Sequence, residues 1–167
     1  TEGYAIVNWG TMEQTGRAWQ VSINPMEREG PLGRLRIGVN RGWVIGTTDL
    51  RDDRWHHCAV VMYGGHRPDA GTHILLYVDG ELEPAARKAV MEIRTATDSA
   101  RAHNLWLGRN LNYEGVNWKV DGGPFFRGCL DELFVFDAAL DQTRIRFLMK
   151  YNRLPPPASP VARLGPP

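Results

Sequence analysis

The chain has 167 residues, a net charge of +1 and a hydrophobic fraction of 43%. This length suits one domain with a substantial core, and the balanced charge excludes a general attraction to nucleic acid or anionic lipid. No apolar run approaches the roughly 20 residues that span a bilayer, so we expect no membrane insertion by these residues. The opening residues contain no signal-peptide core, and two cysteines are too few for a disulfide scaffold.

Most of the periodicity is that of β-strands, in which alternate residues face opposite sides. The predicted strands are residues 4–9, 17–23, 34–39, 43–46, 55–63, 73–78, 81–84, 105–110 and 126–136. Asp79-Gly80 favours a two-residue type I′ turn, so we expect the strands on either side of it to form a hairpin. Residues 86–104 follow no single pattern.

One helix is predicted near the end of the chain. Asp141 is a suitable N-cap, and Ile145, Leu148 and Met149 form an apolar stripe at helical spacing. Successive strands with one short C-terminal helix predict an all-β protein, an antiparallel two-sheet sandwich.

His56-His57-Cys58 is the most conspicuous candidate for a metal or catalytic site. Neighbouring residues of a strand point to opposite faces, so the two histidines cannot bind one ion together. His56 and Cys58 share a face, but two ligands are too few for a tetrahedral site. We therefore predict a structural role, in which Trp55 and His57 pack and form hydrogen bonds, and no catalytic or metal-binding residue here.

Three segments in this order resemble the laminin-G-like domain of the concanavalin A-like lectin/glucanase superfamily. They read TDLRDDRWHHCAVV (48–61), LLYVDGELE (75–83) and FRGCLDELFVFDAALDQTRIRFL (126–148). Pentraxins share this layout, and LWLGRN at residues 105–110 adds to the similarity. The resemblance implies an antiparallel jelly roll over residues 1–152 with one short C-terminal helix, followed by a proline-rich tail at residues 153–167.

The resemblance also has a departure at its beginning. Members of the family usually have further strands before the one that corresponds to residues 4–9. We therefore expect that the opening strands lie upstream of Thr1 or are rebuilt differently. An open sheet edge would invite pairing with another chain.

Calcium is the second departure. Pentraxins bind two ions through acidic and amide side chains, and the corresponding positions here include no carboxylate, so we expect that site to be absent. The corresponding residues are Thr15, Gly16, Asn110, Leu111 and Asn112. We predict no cofactor, with a single structural calcium near Asp131 as the alternative. In the favoured interpretation Asp131 is a buried carboxylate that accepts hydrogen bonds from a neighbouring loop.

The glucanases of the superfamily suggest an enzymatic alternative. Their catalytic carboxylates lie two residues apart along one strand, so that they share a face. The nearest patterns here are Glu27-Arg28-Glu29 and Glu81-Leu82-Glu83, and neither continues to a third carboxylate; Asp131 and Glu132 are adjacent and point apart. A glycoside hydrolase is therefore the least favoured function.

The two cysteines, Cys58 and Cys129, both lie on predicted core strands. A disulfide would require Cα atoms within about 7 Å of each other. We favour two buried free thiols, since free cysteine behaves as a small hydrophobic residue, and keep the disulfide as the alternative.

The loop Asn110–Pro124 corresponds to the region in which pentraxin-type jelly rolls carry their ligand loop. An aromatic face can stack on a sugar ring while amides and carboxylates bind its hydroxyls. The predicted ligand-binding residues are Asn112, Tyr113, Asn117, Trp118 and Asp121. The alternative is that Trp118 only packs the loop onto the sheet. The tryptophans predicted to lie in the core are Trp9, Trp19, Trp43 and Trp106.

Together these observations predict a non-catalytic recognition module of a larger extracytoplasmic protein, whether secreted, periplasmic or on the cell surface. We expect it to bind carbohydrate and to work beside other domains of a parent protein. The alternative is a protein–protein interaction module of a membrane-anchored regulatory or adhesive protein, with contacts on a sheet edge or concave face.

Overall fold

A computed structural model describes residues 4–10, 19–95, 103–108, 112–114, 117–119 and 125–156. Within these ranges the elements are β1 (Tyr4–Gly10), β2 (Trp19–Ile23), β3 (Leu35–Val39), β4 (Gly42–Ile45), β5 (Cys58–Met62), β6 (Ile74–Val78), β7 (Glu81–Glu83), β8 (Arg87–Ala89), β9 (His103–Leu107), β10 (Asn112–Glu114), β11 (Asn117–Lys119) and α1 (Gln142–Tyr151). One sheet has the order β8-β4-β3-β2-β1-β9, a second has the order β5-β6-β7, and β10 and β11 form a separate hairpin. Every paired strand is antiparallel.

The core lies between the two larger sheets. Leu35 and Ile37, alternate residues of β3, are fully buried, and they pack in one cluster with Ile74, Leu76 and Val78 of β6. Each such side chain contributes about 1.5–3 kcal/mol by leaving water. Because residues at period two from both sheets meet in this layer, the chain forms the predicted antiparallel sandwich.

The turn between β6 and β7 is the predicted type I′ hairpin. Asp79 has φ +52° and Gly80 has φ +77°, as this turn requires at both central positions. A Cβ at position 80 would also lie 2.8 Å from Cγ of Arg146, so glycine serves both the turn and the approach of the helix. Asn40 and Arg41, with φ +45° and +68°, form a second turn with both values positive between β3 and β4.

Helix α1 packs on the outer face of the three-stranded sheet. Asp141 is its N-cap and accepts a hydrogen bond of 2.8 Å from the backbone three residues on. Ile145 and Leu148 are buried, and Ile145 contacts Tyr77 of β6. Met149, the third residue of the predicted stripe, remains 42% exposed.

Residues 126–136 differ most from the prediction. They form no strand, and the described residues provide no strand that pairs with them. Glu132 adopts φ +51°, which interrupts the alternation of a strand. Leu133 and Val135 are 47% and 52% exposed. The residues have the apolar character of a buried strand but lack a neighbouring strand.

Several predicted boundaries also change. Residues 55–57 precede β5, and β8 lies in the stretch that showed no single pattern. The polar loop after β9 contains the hairpin of β10 and β11. Residues 17–18 and 109–110 of predicted strands, and residues 157–167 of the predicted tail, lie outside the described ranges.

Candidate functional site

The predicted ligand-binding residues lie on and beside the β10–β11 hairpin. Tyr113 and Trp118 occupy opposite positions in its register, and Asn112 lies opposite Lys119 in the adjacent pair. Asn117 lies opposite Glu114 on the other side of the aromatic pair. The hairpin thus places an aromatic pair between two polar pairs. Asp121, the fifth predicted residue, lies outside the described residues.

The base of the predicted ligand loop, Asn110–Pro124, is fixed at the edge of the six-stranded sheet. The backbone N–H of Gly108 donates to the carbonyl of Ile6 at 2.9 Å, and that of Phe126 donates to the carbonyl of Gly108 at 2.9 Å. The chain therefore leaves and returns at one point beside β1 and β9. Gly108 has φ +68°, a conformation that glycine adopts without strain.

A cross-strand row on the outer face of the same sheet was not predicted. Along the register, Trp106 pairs with Asn8, Asn8 with Gln20, Gln20 with Gly38, and Gly38 with Trp43. Directly paired residues share a face of an antiparallel sheet, and this face is opposite the core. Both tryptophans are half-buried there, so their predicted place in the core is wrong. Counting alternate positions from the core residues of β3 and β4 would have found the row.

The other two strand tryptophans do face the interior. Trp9 and Trp19 pair across β1 and β2, and their rings meet edge to face with centroids 5.9 Å apart. Both are half-buried, because they line a cavity of about 1970 Å³ between the sheets. We call this space the inter-sheet cavity.

The two histidines have different surroundings, but they precede β5 and do not lie on the predicted strand. His56 lies between two carboxylates: its Nδ1 is 2.8 Å from Asp79 Oδ2, and its Nε2 is 3.0 Å from Asp52 Oδ1. Hydrogen bonds to Asp79, then to Asp52, raise the pKa of His56, and its hydrogen bond together with that of Arg54 lowers the pKa of Asp52 to about 2. Both ring nitrogens serve these contacts.

His57 has a different environment. Its backbone N–H donates to Asp79 Oδ1 at 2.9 Å, while its Nδ1 has no hydrogen-bond partner among the described residues. Burial lowers the pKa of this side chain, and the charge of Asp79 opposes that shift. Trp55 is 68% exposed, so its predicted packing role is wrong. Within the described ranges, His, Cys, Asp and Glu side chains do not gather in threes that could hold a metal ion.

The thiols and Asp131 also differ from expectation. Cys58 and Cys129 are both free, and burial, then the charges of Asp79 and Glu83, raises the pKa of Cys58 to about 12. Cys129 is exposed, so its predicted burial is wrong, because residues 126–136 do not join a sheet. Asp131 is exposed for the same reason, and its carboxylate accepts a hydrogen bond from the adjacent backbone N–H at 2.9 Å.

Two facing antiparallel sheets closed by a short helix define a domain of the concanavalin A-like sandwich class. The profile of a laminin G family, described as belonging to the concanavalin A-like lectin/glucanases superfamily, matches residues 3–146. The chain therefore belongs to the laminin-G-like family. No curated protein and no solved structure matches it. In the part of the chain that the structure describes, no helix has the length and apolar character needed to cross a membrane.

Proposed function

We propose that this laminin-G-like domain is a non-catalytic recognition module that binds carbohydrate at the β10–β11 hairpin. The proposal rests on the register of the hairpin, in which Tyr113 lies opposite Trp118. This aromatic pair is flanked by the pair of Asn112 with Lys119 and by the pair that contains Asn117. An aromatic ring offers a flat apolar surface to the C–H face of a sugar, and amides donate to and accept from its hydroxyls. The hairpin supplies both kinds of group within a few residues.

The neighbouring sheet surface supports the same chemistry. The ligand loop leaves the sheet at Gly108, two residues after Trp106 of β9. From Trp106 the outer-face row continues through Gln20 to Trp43. Asn8, which lies between Trp106 and Gln20 in this row, is fully buried. The partly exposed aromatic and amide groups on this face are therefore Trp106, Gln20 and Trp43. This arrangement suits a ligand of several sugar units.

Three of the carboxylates that the sequence raised as catalytic candidates have structural partners. Glu29 binds the guanidinium of Arg36 at 2.8 Å, and Glu83 accepts hydrogen bonds from the threonines at positions 47 and 48. Glu81 pairs with Arg146 at 2.6 Å. A glycosidase requires two carboxylates that flank a substrate, whereas these carboxylates bind other side chains and backbone groups of the domain. This supports recognition without chemistry.

Glycan-array retention tests the proposal. Trp118→Ala and Tyr113→Ala should each weaken retention about tenfold, the loss of one stacking contact, without lowering the melting temperature. Trp55→Ala is the matched control, since Trp55 is 68% exposed and lies outside the hairpin. Unchanged retention in both hairpin variants, with a protein partner recovered in pull-downs, would instead support the protein-interaction alternative.

The proposed mode of binding needs no metal ion. Retention on the array should therefore be unchanged by EDTA. Loss of retention that returns with added calcium would support the single structural calcium instead. The family's usual extracellular setting agrees with a role in a secreted or surface protein, where glycans are abundant. We therefore include an extracellular location in the proposal.

A further inference from the structure

The side chain of His56 joins two parts of the chain. Its Nδ1 lies 2.8 Å from Asp79 Oδ2, in the turn between β6 and β7. Its Nε2 lies 3.0 Å from Asp52 Oδ1, in the connection from β4 to β5. The side chain is only 10% exposed. The ring is therefore enclosed between the turn and the connection, with one nitrogen directed at each carboxylate.

Only one form of the His56 ring suits both contacts. A carboxylate only accepts hydrogen bonds, whereas a neutral imidazole has a proton on one nitrogen and a lone pair on the other. Two carboxylates therefore require an N–H group on both ring nitrogens, which is the imidazolium form. Hydrogen bonds from His56 and Arg54 lower the pKa of Asp52 to about 2, so Asp52 stays ionised while the ring titrates.

Residues 52–55 depend on this contact for their attachment. Within the described ranges, their hydrogen bonds and ion pairs either join Asp52 to Arg54 or reach His56. Trp55 is 68% exposed, so it adds little apolar contact. His56 is thus the polar link between this segment and the β6–β7 turn.

The segment lies between two points that are fixed by backbone groups. Before it, the N–H of Leu50 donates to the carbonyl of Gly33 at 2.9 Å. After it, the N–H of His57 donates to Asp79 Oδ1 at 2.9 Å. Backbone N–H groups do not titrate in this pH range. Loss of the His56 contact would therefore free residues 52–55 and leave both ends in place.

The two carboxylates differ in how firmly they are held. Asp79 is a central residue of a type I′ turn and also binds the N–H of His57. Asp52 has an alternative partner, the guanidinium of Arg54 at 2.7 Å. A neutral His56 that keeps its Nδ1 proton for Asp79 would direct the Nε2 lone pair at Asp52 Oδ1. Because two lone pairs repel, Asp52 is the partner that leaves.

Within the described residues, no further charged group takes part in the contact. The charged side chains of the same connection that line the inter-sheet cavity beside His56 are Arg51, Asp53 and Arg54. Those of the segment across the cavity are Arg127, Asp131, Glu132 and Asp137. Among the described residues, Asp52 and Asp79 alone form hydrogen bonds or ion pairs with the His56 ring. These two carboxylates therefore decide which form of the ring is bound.

The other groups near Asp79 are uncharged or already paired. Burial lowers the pKa of His57 and raises that of Cys58 to about 12, so both are uncharged at neutral pH. From α1, Arg146 approaches the same turn and donates to the carbonyl of Gly80 at 3.1 Å. A change in the charge of His56 is therefore met by Asp79 and Asp52.

We infer that His56 is a pH-dependent attachment: its protonated ring binds residues 52–55 to the β6–β7 turn, and loss of the proton releases them. Hydrogen bonds to Asp79 and then Asp52 raise the pKa of His56 above its ordinary 6.5. The attachment is therefore complete below pH 6.5 and is lost as the pH rises through the raised pKa. The surface that carries Trp55 thus changes with pH, and this inference does not depend on the proposed glycan site.

NMR spectroscopy of the whole chain from about pH 5 to about pH 9 tests the inference. The backbone order parameters of Arg54 and Trp55 should fall from about 0.85 to below about 0.6 as the His56 ring loses its proton. The nitrogen shifts of the neutral ring should show the proton on Nδ1. Thr48, in the same connection, binds Glu83, whose lowered pKa keeps it ionised throughout, so the order parameter of Thr48 should not change.

Two variants separate this attachment from a general effect of pH. In Asp52→Asn the amide can accept from the protonated ring and donate to the neutral one, so residues 52–55 should stay ordered across the range. In His56→Gln no group of the contact titrates, so the order parameters of Arg54 and Trp55 should not depend on pH.

Three results would overturn the inference. The first is a wild-type segment 52–55 whose order is the same before and after the His56 ring titrates. The second is a pH-dependent loss of order that persists with the same midpoint in Asp52→Asn or His56→Gln. The third is a neutral ring with its proton on Nε2, which would mean that Asp79 is the partner that is lost.

Discussion

Glu83 links the two sheets, and its removal gives a measurable prediction. Its carboxylate accepts hydrogen bonds from the backbone N–H groups of Thr47 and Thr48 at 2.7 and 2.9 Å. It also accepts from the two hydroxyls, at 3.2 Å for Thr47 and 2.6 Å for Thr48. These threonines begin the connection from β4 to β5, which passes from one sheet to the other. The side chain of Glu83, on β7, therefore binds the start of that connection.

The size of the effect follows from these four contacts. In Glu83→Ala the hydroxyls can turn to water, which leaves two backbone donors to lose their partner. A net hydrogen bond contributes about 0.5–1.5 kcal/mol, and partial exposure favours the lower half of that range. We expect a loss of about 1–2 kcal/mol in the free energy of unfolding, or about 2–8 °C in melting temperature for a chain of this size.

The pH dependence has a defined sign. Burial alone would raise the pKa of Glu83, but the hydrogen bonds from Thr48 and Thr47 outweigh it and lower the pKa below its ordinary 4.5. A carboxyl whose pKa is lower in the folded state stabilises the protein above its unfolded pKa. The contribution is lost as the pH falls through the folded value. The difference between wild type and Glu83→Ala should therefore shrink in acid.

Urea unfolding and thermal melting measure the loss. Glu81→Ala is the matched control, because Glu81 is on the same strand and its ion pair with Arg146 is exposed, where such pairs contribute little. Glu83→Gln should fall between wild type and Glu83→Ala, since the amide keeps one acceptor oxygen. Equal losses in Glu83→Ala and Glu81→Ala, or a loss from Glu83→Ala that does not change in acid, would refute the reasoning.

Three further predictions concern the two histidines before β5 and the two thiols. Hydrogen bonds raise the pKa of His56 above 6.5. The His56 side chain should therefore stabilise the fold fully below pH 6.5 and lose this effect as the pH rises through its raised pKa. Urea unfolding of His56→Gln across pH should show a loss of stability, relative to wild type, that shrinks in alkali. His57, whose pKa is lowered, should show the opposite sign, with His57→Gln gaining stability relative to wild type in acid. Cys129 should react with a thiol reagent in the folded protein, whereas Cys58, with a pKa of about 12, should react only on unfolding. Equal reaction rates would contradict the raised pKa of Cys58.

The sheets were predictable where the signal is local. Leu35, Ile37 and Val39 alternate with small or polar residues, and this period alone determines which face is buried. Asp79-Gly80 carries its turn type in two residues, because both must adopt positive φ. The N-cap at Asp141 is equally local. In each case the deciding contacts lie within a few residues along the chain.

Residues 126–136 show the limit of such reasoning. Their composition is that of a strand, but a strand exists only with a partner, and pairing is decided by residues distant in sequence. The position of His56 between Asp52 and Asp79 is likewise non-local, since the second carboxylate comes from a turn 23 residues away. Residue types thus predicted the character of both regions but not their contacts.

In the candidate glycan site, too, the sequence predicts the residue types but not their arrangement. Tyr113 and Trp118 were chosen for the chemistry of their side chains, and their opposite register depends on a turn that the polar loop sequence does not specify. Trp43 and Trp106 were assigned to the core because tryptophan is usually well buried. The register of the six-stranded sheet instead places them on the outer face, which turns two presumed core residues into part of a candidate binding surface.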